Sequence, residues 1–163
     1  MLKSILTLAI TVSIALGALS PGEKAPELVV PKLDGQIFDL SALHGKVVLI
    51  HFWATWCPGC KEEMPILSRF YDQNHAKGVE AIGISVDRAR ERENVRAEAR
   101  AFSYPSALAS DAKSNGFNTP SSLPLTYVID RNGLVSAKLS PTNSPLTEKI
   151  LSDLVLPLLD KKF

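Results

Sequence analysis

The chain reads as a mixed α/β domain, with a central sheet, helices on both faces and a β-hairpin added on the N-terminal side. Three observations predict this. Val47 to Trp53 is apolar throughout except for His51, the pattern of a strand covered on both faces. Downstream, strand and helix patterns alternate before a strand hairpin and a last helix, the order expected of a mixed sheet flanked by helices. The two cysteines of the chain, Cys57 and Cys60, stand where the first long strand gives way to the first long helix.

A length of 163 residues suits one domain plus a short appendage. Hydrophobic residues make up 45% and charged residues 21%, as in ordinary soluble globular proteins. The formal charge of +1 gives no general attraction to nucleic acid or to acidic membrane surfaces. Two cysteines cannot build a disulfide framework, but they can form one bond or one redox couple.

Residues 1–20 are read as a leader, and residues 21–163 as the folded domain. Lys3 supplies a basic start, Ile5 to Leu19 is apolar or small, and Ala15-Leu16-Gly17 before Ala18 is a small-x-small cleavage site. The apolar run is shorter than the roughly 20 residues of a spanning helix, which favours a cleaved signal peptide over an N-terminal anchor. Either form would place the domain outside the cytoplasm, in the periplasm or an equivalent compartment where disulfides persist.

Along the domain, Glu27 to Val30 is expected as a short edge strand. Asp34-Gly35 is a hairpin turn and Ile37 to Leu40 the returning strand. Ser41 to Gly45 reads as one turn closed by glycine. The helix after the cysteines should run from about Pro58 to Lys77, with Cys60, Met64, Leu67 and Tyr71 on one stripe, a kink at Pro65 and a stop at Gly78. Val79 to Val86 is a second buried strand. Asp87 to Phe102 is a solvated amphipathic helix whose glutamates offset its arginines. A short strand is expected within Ser103 to Ser110, and a helical turn and loop over Asp111 to Ser122. Leu125 to Asp130 and Leu134 to Leu139 form a hairpin around Asn132-Gly133. Ser144 and Pro145 read as N-cap and first residue of the last helix, with Pro157 bending or ending it.

The spacing of Cys57 and Cys60 points to redox chemistry. A thiolate is the attacking species, and Cys57 sits where the unpaired N–H groups of a helix favour negative charge. Pro58 fits the first helical position because it has no N–H to waste, and Gly59 keeps the loop open to a partner. Cys60, one turn on, is within reach of a short-loop disulfide and is the more shielded sulfur. Cys57 is therefore expected to attack a substrate disulfide and Cys60 to resolve the mixed disulfide. A structural zinc site would need about four ligands, whereas there is no second cysteine pair and His44, His51 and His75 are scattered. A purely structural bond would gain little from so small a loop. Transient binding of a soft ion such as Cu(I) stays open as a rival. No resident metal or cofactor is expected.

The stretch Phe52-Trp53-Ala54-Thr55-Trp56-Cys57-Pro58-Gly59-Cys60-Lys61-Glu62-Glu63-Met64-Pro65 resembles the motif of the TlpA/ResA/CcmG-like thiol–disulfide oxidoreductases of the thioredoxin superfamily. Pro21 to Pro26 and Leu123 to Gly133 resemble further blocks of that family, so the likeness spans nearly the whole domain. The resemblance implies a thioredoxin-like fold and a cis Leu123–Pro124 bond facing the cysteines. It also implies that an extended substrate segment pairs with the Leu123 backbone, with Trp56, Pro58, Gly59 and Pro124 around it. It makes Glu63 a candidate proton acceptor from Cys60. His51 departs from the family pattern, since thioredoxins proper carry a buried acid there and this family often an asparagine. A buried histidine could relay a proton beneath the cysteines, or be a satisfied core residue.

The resemblance further implies an extracytoplasmic reductant of disulfides in exported proteins, in cytochrome c maturation or a similar service, fed by a membrane-bound electron donor and working as a monomer. A disulfide-donating oxidant and a copper-binding thiol chaperone are the alternatives; a thiol peroxidase lacks the isolated cysteine context.

Overall fold

The structure, a computed structural model, describes residues 19–161. The leader and its cleavage site fall outside the described residues, apart from Leu19 and Ser20. Eight strands and three α-helices follow in the order β1 (Leu28–Pro31), β2 (Ile37–Asp39), β3 (Val47–Trp53), α1 (Pro58–Asn74), β4 (Val79–Ser85), α2 (Arg92–Ala99), β5 (Ser106–Leu108), β6 (Ser114–Asn115), β7 (Leu125–Ile129), β8 (Val135–Leu139) and α3 (Glu148–Asp160).

The central sheet has the strand order β5-β4-β3-β7-β8. Strands β5, β4 and β3 run parallel, β7 runs antiparallel to β3, and β8 runs antiparallel to β7 and so in the direction of the first three. All of β3 is buried, which explains its near-continuous apolar sequence. Its alternate residues feed different cores. Val48, Ile50 and Phe52 join Leu28, Val30, Phe38, Phe117 and Tyr127. Val47 and Leu49 join Leu67 and Phe70 of α1 and Leu151, Val155 and Leu158 of α3. Trp53 packs in a third cluster with Ala54, Cys57, Cys60, Met64, Val95 and Leu108. Helices α1 and α3 thus cover one face. The other face, where a helix is also expected, lies instead under a small sheet and the 3-10 turns Leu40–Leu43 and Ala109–Asp111.

That small sheet corrects two expectations. Strand β1 is not an edge: it is the middle of the order β2-β1-β6. Its second neighbour is β6, inside a stretch read as turn and loop. Two residues, Leu28↔Asn115 and Val29↔Ser114, carry the whole pairing, too short a run for any periodicity to show. The Asp34-Gly35 hairpin does form, with Gly35 at φ 89°.

Helix α1 keeps its register through Pro65, continues as a 3-10 turn over His75–Lys77, and ends at Gly78 with φ 106°. Its inward face is Cys60, Glu63, Met64, Leu67, Phe70 and Asn74, with Tyr71 only half-buried. The charge-rich stretch is shorter as a helix than expected, a 3-10 turn at Ala89–Glu91 leading into α2. The last helix does not begin at Ser144-Pro145. Ser144 N–H is spent on Ser140 O (2.9 Å) in a tight turn, and Thr147 caps α3 by accepting from Ile150 N (3.2 Å). Pro157 does not end α3, which runs through it to Asp160. The Arg131 guanidinium closes that end, donating to Leu159 O and Lys161 O (3.0 Å each) and to Gly45 O (2.9 Å).

Gly83, mid-β4, lies beneath three side chains. A Cβ there would stand 2.9 Å from Ser106 Oγ, 3.0 Å from Trp53 Nε1 and 3.2 Å from Tyr104 Cε2. Gly83→Ala is expected to cost about 1–3 kcal/mol by overpacking a filled core. Urea unfolding should show a lower midpoint with an unchanged slope; an unchanged midpoint would mean that the space is looser than described.

Candidate active site

The site is built where β3 passes into α1. Cys57 N donates to Ala54 O (3.1 Å), closing a tight turn directly after the strand. Cys57 is the N-cap of α1, in extended conformation (φ −98°, ψ 103°), and Pro58 takes the first helical position. The sulfur does what an N-cap oxygen does elsewhere: Cys57 Sγ accepts from Cys60 N at 3.2 Å. The two sulfurs are bonded, with Cα atoms 5.3 Å apart. Cys57 keeps 5% of its surface exposed and Cys60 none, so Cys57 is the outer sulfur.

The Leu123–Pro124 bond is cis. Pro124 Cδ lies 3.4 Å from where a Cβ of Gly59 would stand, so the proline ring packs directly on the loop between the cysteines. A larger residue at 59 would press on it. Leu123 packs half-buried against the cluster of Trp53, Cys57 and Cys60. Trp56 stands out beside the pair, 66% exposed. Sequence-predicted Cys57, Pro58, Gly59, Cys60, Leu123 and Pro124 are therefore brought together, with Trp56 at their rim.

Glu63 and His51 are buried nearby, but neither makes a hydrogen bond to a sulfur. Glu63 points inward from α1, and its Oε1 accepts from Leu146 N at 3.2 Å. Burial holds its carboxyl above the usual range, against the lowering effect of the Leu146 bond and with help from Glu62. His51 lies in β3 with its Nδ1 2.9 Å from Thr126 Oγ1 of β7, and its Nε2 has no hydrogen-bond partner in the structure. Its ring is fully buried, which pushes it down to about 4 from an ordinary 6.5 and keeps it neutral at pH 7.

One contributor was not read from the sequence. Asp87, just past β4, is buried and binds Thr55 in the turn before Cys57. The sequence pattern puts it at the start of a solvated helix. Its signal was the Ser85-x-Asp87 spacing at the end of a buried strand, hidden among the charges that follow. Among the described residues no three His, Cys, Asp or Glu side chains converge as a metal site. Among the same residues no helix is long and apolar enough to cross a membrane.

A mixed sheet that delivers a Cys-x-x-Cys pair to a helix start, under a cis-proline loop, defines a protein-disulfide oxidoreductase of the thioredoxin fold. The AhpC/TSA family matches residues 21–138, and the chain belongs to that family as a TlpA/ResA/CcmG-like member of the thioredoxin superfamily. The chain is similar to thiol-disulfide oxidoreductase ResA of Bacillus cereus, 33% identical over 118 residues, which cover 72% of this chain and 68% of that one. Among solved structures it resembles a thio-disulfide isomerase from Thermus thermophilus, with TM-score 0.68 and 28% identity over 89% of this chain and all of the other. A Chlorobium tepidum structure assigned as thiol:disulfide interchange protein DsbE shares the fold, with TM-score 0.72 and 24% identity over 86% of this chain and 99% of that one.

The neutral state of His51 makes stability depend on pH. Its folded value lies below its unfolded value, so between about 6.5 and about 4 the unfolded chain binds a proton that the folded chain refuses. Acidification through that window therefore favours unfolding, by roughly 3 kcal/mol in all. Glu63, shifted upward, slopes the other way: its contribution is present below the ordinary carboxylate range and is lost as pH rises through its folded value. Subtracting the stability–pH curve of His51→Asn, which keeps a polar partner for Thr126, isolates the histidine. The difference should fall as pH drops from about 6.5 to about 4; parallel curves would show that the ring is charged or solvated.

Proposed function

We propose that this protein is an extracytoplasmic thiol–disulfide oxidoreductase that reduces disulfides of exported proteins through Cys57 and Cys60. The observation that carries the reading is the seat of Cys57 Sγ at the N–H end of α1, with Cys60 N donating to it and Pro124 packed over the intervening Gly59. In the reduced protein the Cys57 thiolate attacks one sulfur of the substrate disulfide. That S–S bond breaks, the second substrate sulfur leaves as a thiolate and takes up a proton, and a mixed disulfide remains on Cys57. Cys60 loses its proton, for which Glu63 on the next turn is the acceptor, and attacks Cys57 Sγ. The substrate departs with both sulfurs reduced, and Cys57–Cys60 is left oxidised. A membrane-bound dithiol donor returns the two electrons.

An extended substrate would lie along the Leu123 backbone, with Trp56, Pro58, Gly59 and Pro124 as its walls. His51 is a candidate proton relay beneath α1. The leader-like residues 1–20 support an extracytoplasmic site of action, as signal peptide or anchor, with residues 21–163 acting there as a monomer. The uncharged Pro58-Gly59 pair offers nothing to stabilise a reduced thiolate further, which favours the reducing direction, with cytochrome c maturation as the service the family resemblance suggests.

Trapping tests the reading. Cys60→Ala should accumulate exported proteins as mixed disulfides on Cys57, resolved by non-reducing electrophoresis, and Cys57→Ala should accumulate none. Equal trapping by both variants would overturn the assignment of roles. A measured reduction potential near about −270 mV supports the reductant, whereas a value near about −120 mV would make the protein an oxidant.

A further inference from the structure

The turn that presents Cys57 is fastened by a single buried carboxylate. Asp87 keeps only 3% of its surface exposed. Its Oδ2 accepts from Thr55 N at 2.9 Å and from Ser85 Oγ at 2.7 Å, and its Oδ1 accepts from Thr55 Oγ1 at 2.7 Å. Ser85 Oγ in turn accepts from Asp87 N at 3.1 Å. Beside this, Val86 N donates to Trp53 O (2.9 Å), carrying the β3–β4 pairing one step beyond the end of β4. Thr55 is two residues before Cys57. No other side chain hydrogen-bonds to Ala54, Thr55 or Trp56 among the described residues, and no lysine or arginine pairs with Asp87.

We propose that Asp87 is a positioning residue for disulfide exchange: its hydrogen bonds to Thr55 hold the Ala54–Trp56 turn so that Cys57 stays in the N-cap seat of α1. This rests on the reading that Cys57 is the attacking sulfur. Burying a carboxylate is costly, and its satisfaction by one backbone N–H and two hydroxyls, without a cation, means that the bonds go to fixing a loop and not to an ion pair. The turn sits between a strand and a helix and has no ladder of its own. Released from Asp87, Thr55 and Trp56 could swing, and a sulfur displaced by an ångström loses both the Cys60 N–H and its line of attack.

Hydrogen-bond geometry and charge make different predictions here. Asparagine can reproduce all three bonds, with Oδ1 accepting from Thr55 N and Ser85 Oγ while Nδ2 donates to the Thr55 hydroxyl. Alanine reproduces none. The experiment follows the reaction of the reduced full-length protein with hydroxyethyl disulfide as a function of pH, well below the unfolding temperature of each variant. Asp87→Ala should lower the alkaline plateau about tenfold and move the midpoint to higher pH; Asp87→Asn should restore the plateau to within about threefold of wild type. Thr55→Val, which loses one bond of the three, should fall between. A wild-type profile in Asp87→Ala would reduce the residue to a purely structural part, and an Asp87→Asn as slow as Asp87→Ala would assign the effect to charge; either overturns the proposal. Should Asp87→Ala fail to fold, a wild-type profile in Thr55→Val would overturn it as well. If the wild-type reaction survives Cys57→Ala, the choice of attacking sulfur fails, and with it the ground for the proposal, whatever the Asp87 variants do.

Discussion

Cys57 occupies the one position where strand geometry and helix electrostatics meet. Strand β3 ends, the chain makes a tight turn, and the first unpaired N–H groups of α1 open onto its sulfur. An anion at such a helix start gains about 0.3–1 kcal/mol when exposed and about 2 kcal/mol when partly buried. A hydrogen bond to a charged group contributes about 1.5–3 kcal/mol, overlapping that same gain. An advantage of about 1.4 kcal/mol is a tenfold rise in the thiolate fraction. The helix start is thus sufficient by itself to shift a thiol toward its reactive form. Burial works against this, since Cys57 is buried and poorly hydrated. The balance therefore depends on how well the N–H groups are aimed, and everything that fixes the turn matters to the chemistry.

Two of the buried titratable groups near the pair, Glu63 and His51, are pushed in opposite directions by the same cause. Desolvation raises Glu63 and lowers His51, leaving each closer to its neutral form than in water. A carboxyl shifted upward suits a group that must take a proton and give it back near neutral pH. A histidine held down to about 4 is a poor acceptor at the same pH, so Glu63 is the stronger candidate for the proton of Cys60. What His51 retains is an Nε2 without a hydrogen-bond partner, on the same face of β3 as Trp53, which itself packs with both cysteines.

The parts of the fold legible in the sequence were those with strong local signals. Strand β3 announced itself by continuous burial, the start of α1 by Cys57-Pro58, and the hairpins by Asp34-Gly35 and Asn132-Gly133. The cysteine pair and the Leu123–Pro124 loop were legible as motifs, and they meet across Gly59. The failures were of another kind. Strand β6 pairs through two residues and has no period to detect. Ser144-Pro145 has the local chemistry of a helix start, but Ser144 N–H is already committed to Ser140 O, and Thr147 captures the cap. Asp87 sits at the head of a charged run, and its partner Thr55 is 32 residues away, so only the parallel pairing of β3 with β4 shows that the two are neighbours.

Two buried carboxylates near the start of α1 solve the same problem at different places. Asp87 accepts the N–H of Thr55 just before the helix, and Glu63 accepts the N–H of Leu146 from the segment leading to α3. Both N–H groups belong to irregular backbone and would otherwise lack a partner, an omission that costs about 1–3 kcal/mol each. A neutral acceptor could satisfy either one. In Glu63 the acidic group also stands one turn from Cys60 on the inward face of α1, where a proton must move for the sulfur to act. In Asp87 two oxygens grip one threonine through both its backbone and its hydroxyl, a geometry that fixes orientation as well as distance. Each side chain thus ties a stretch of irregular backbone to the segment that carries Cys57 and Cys60.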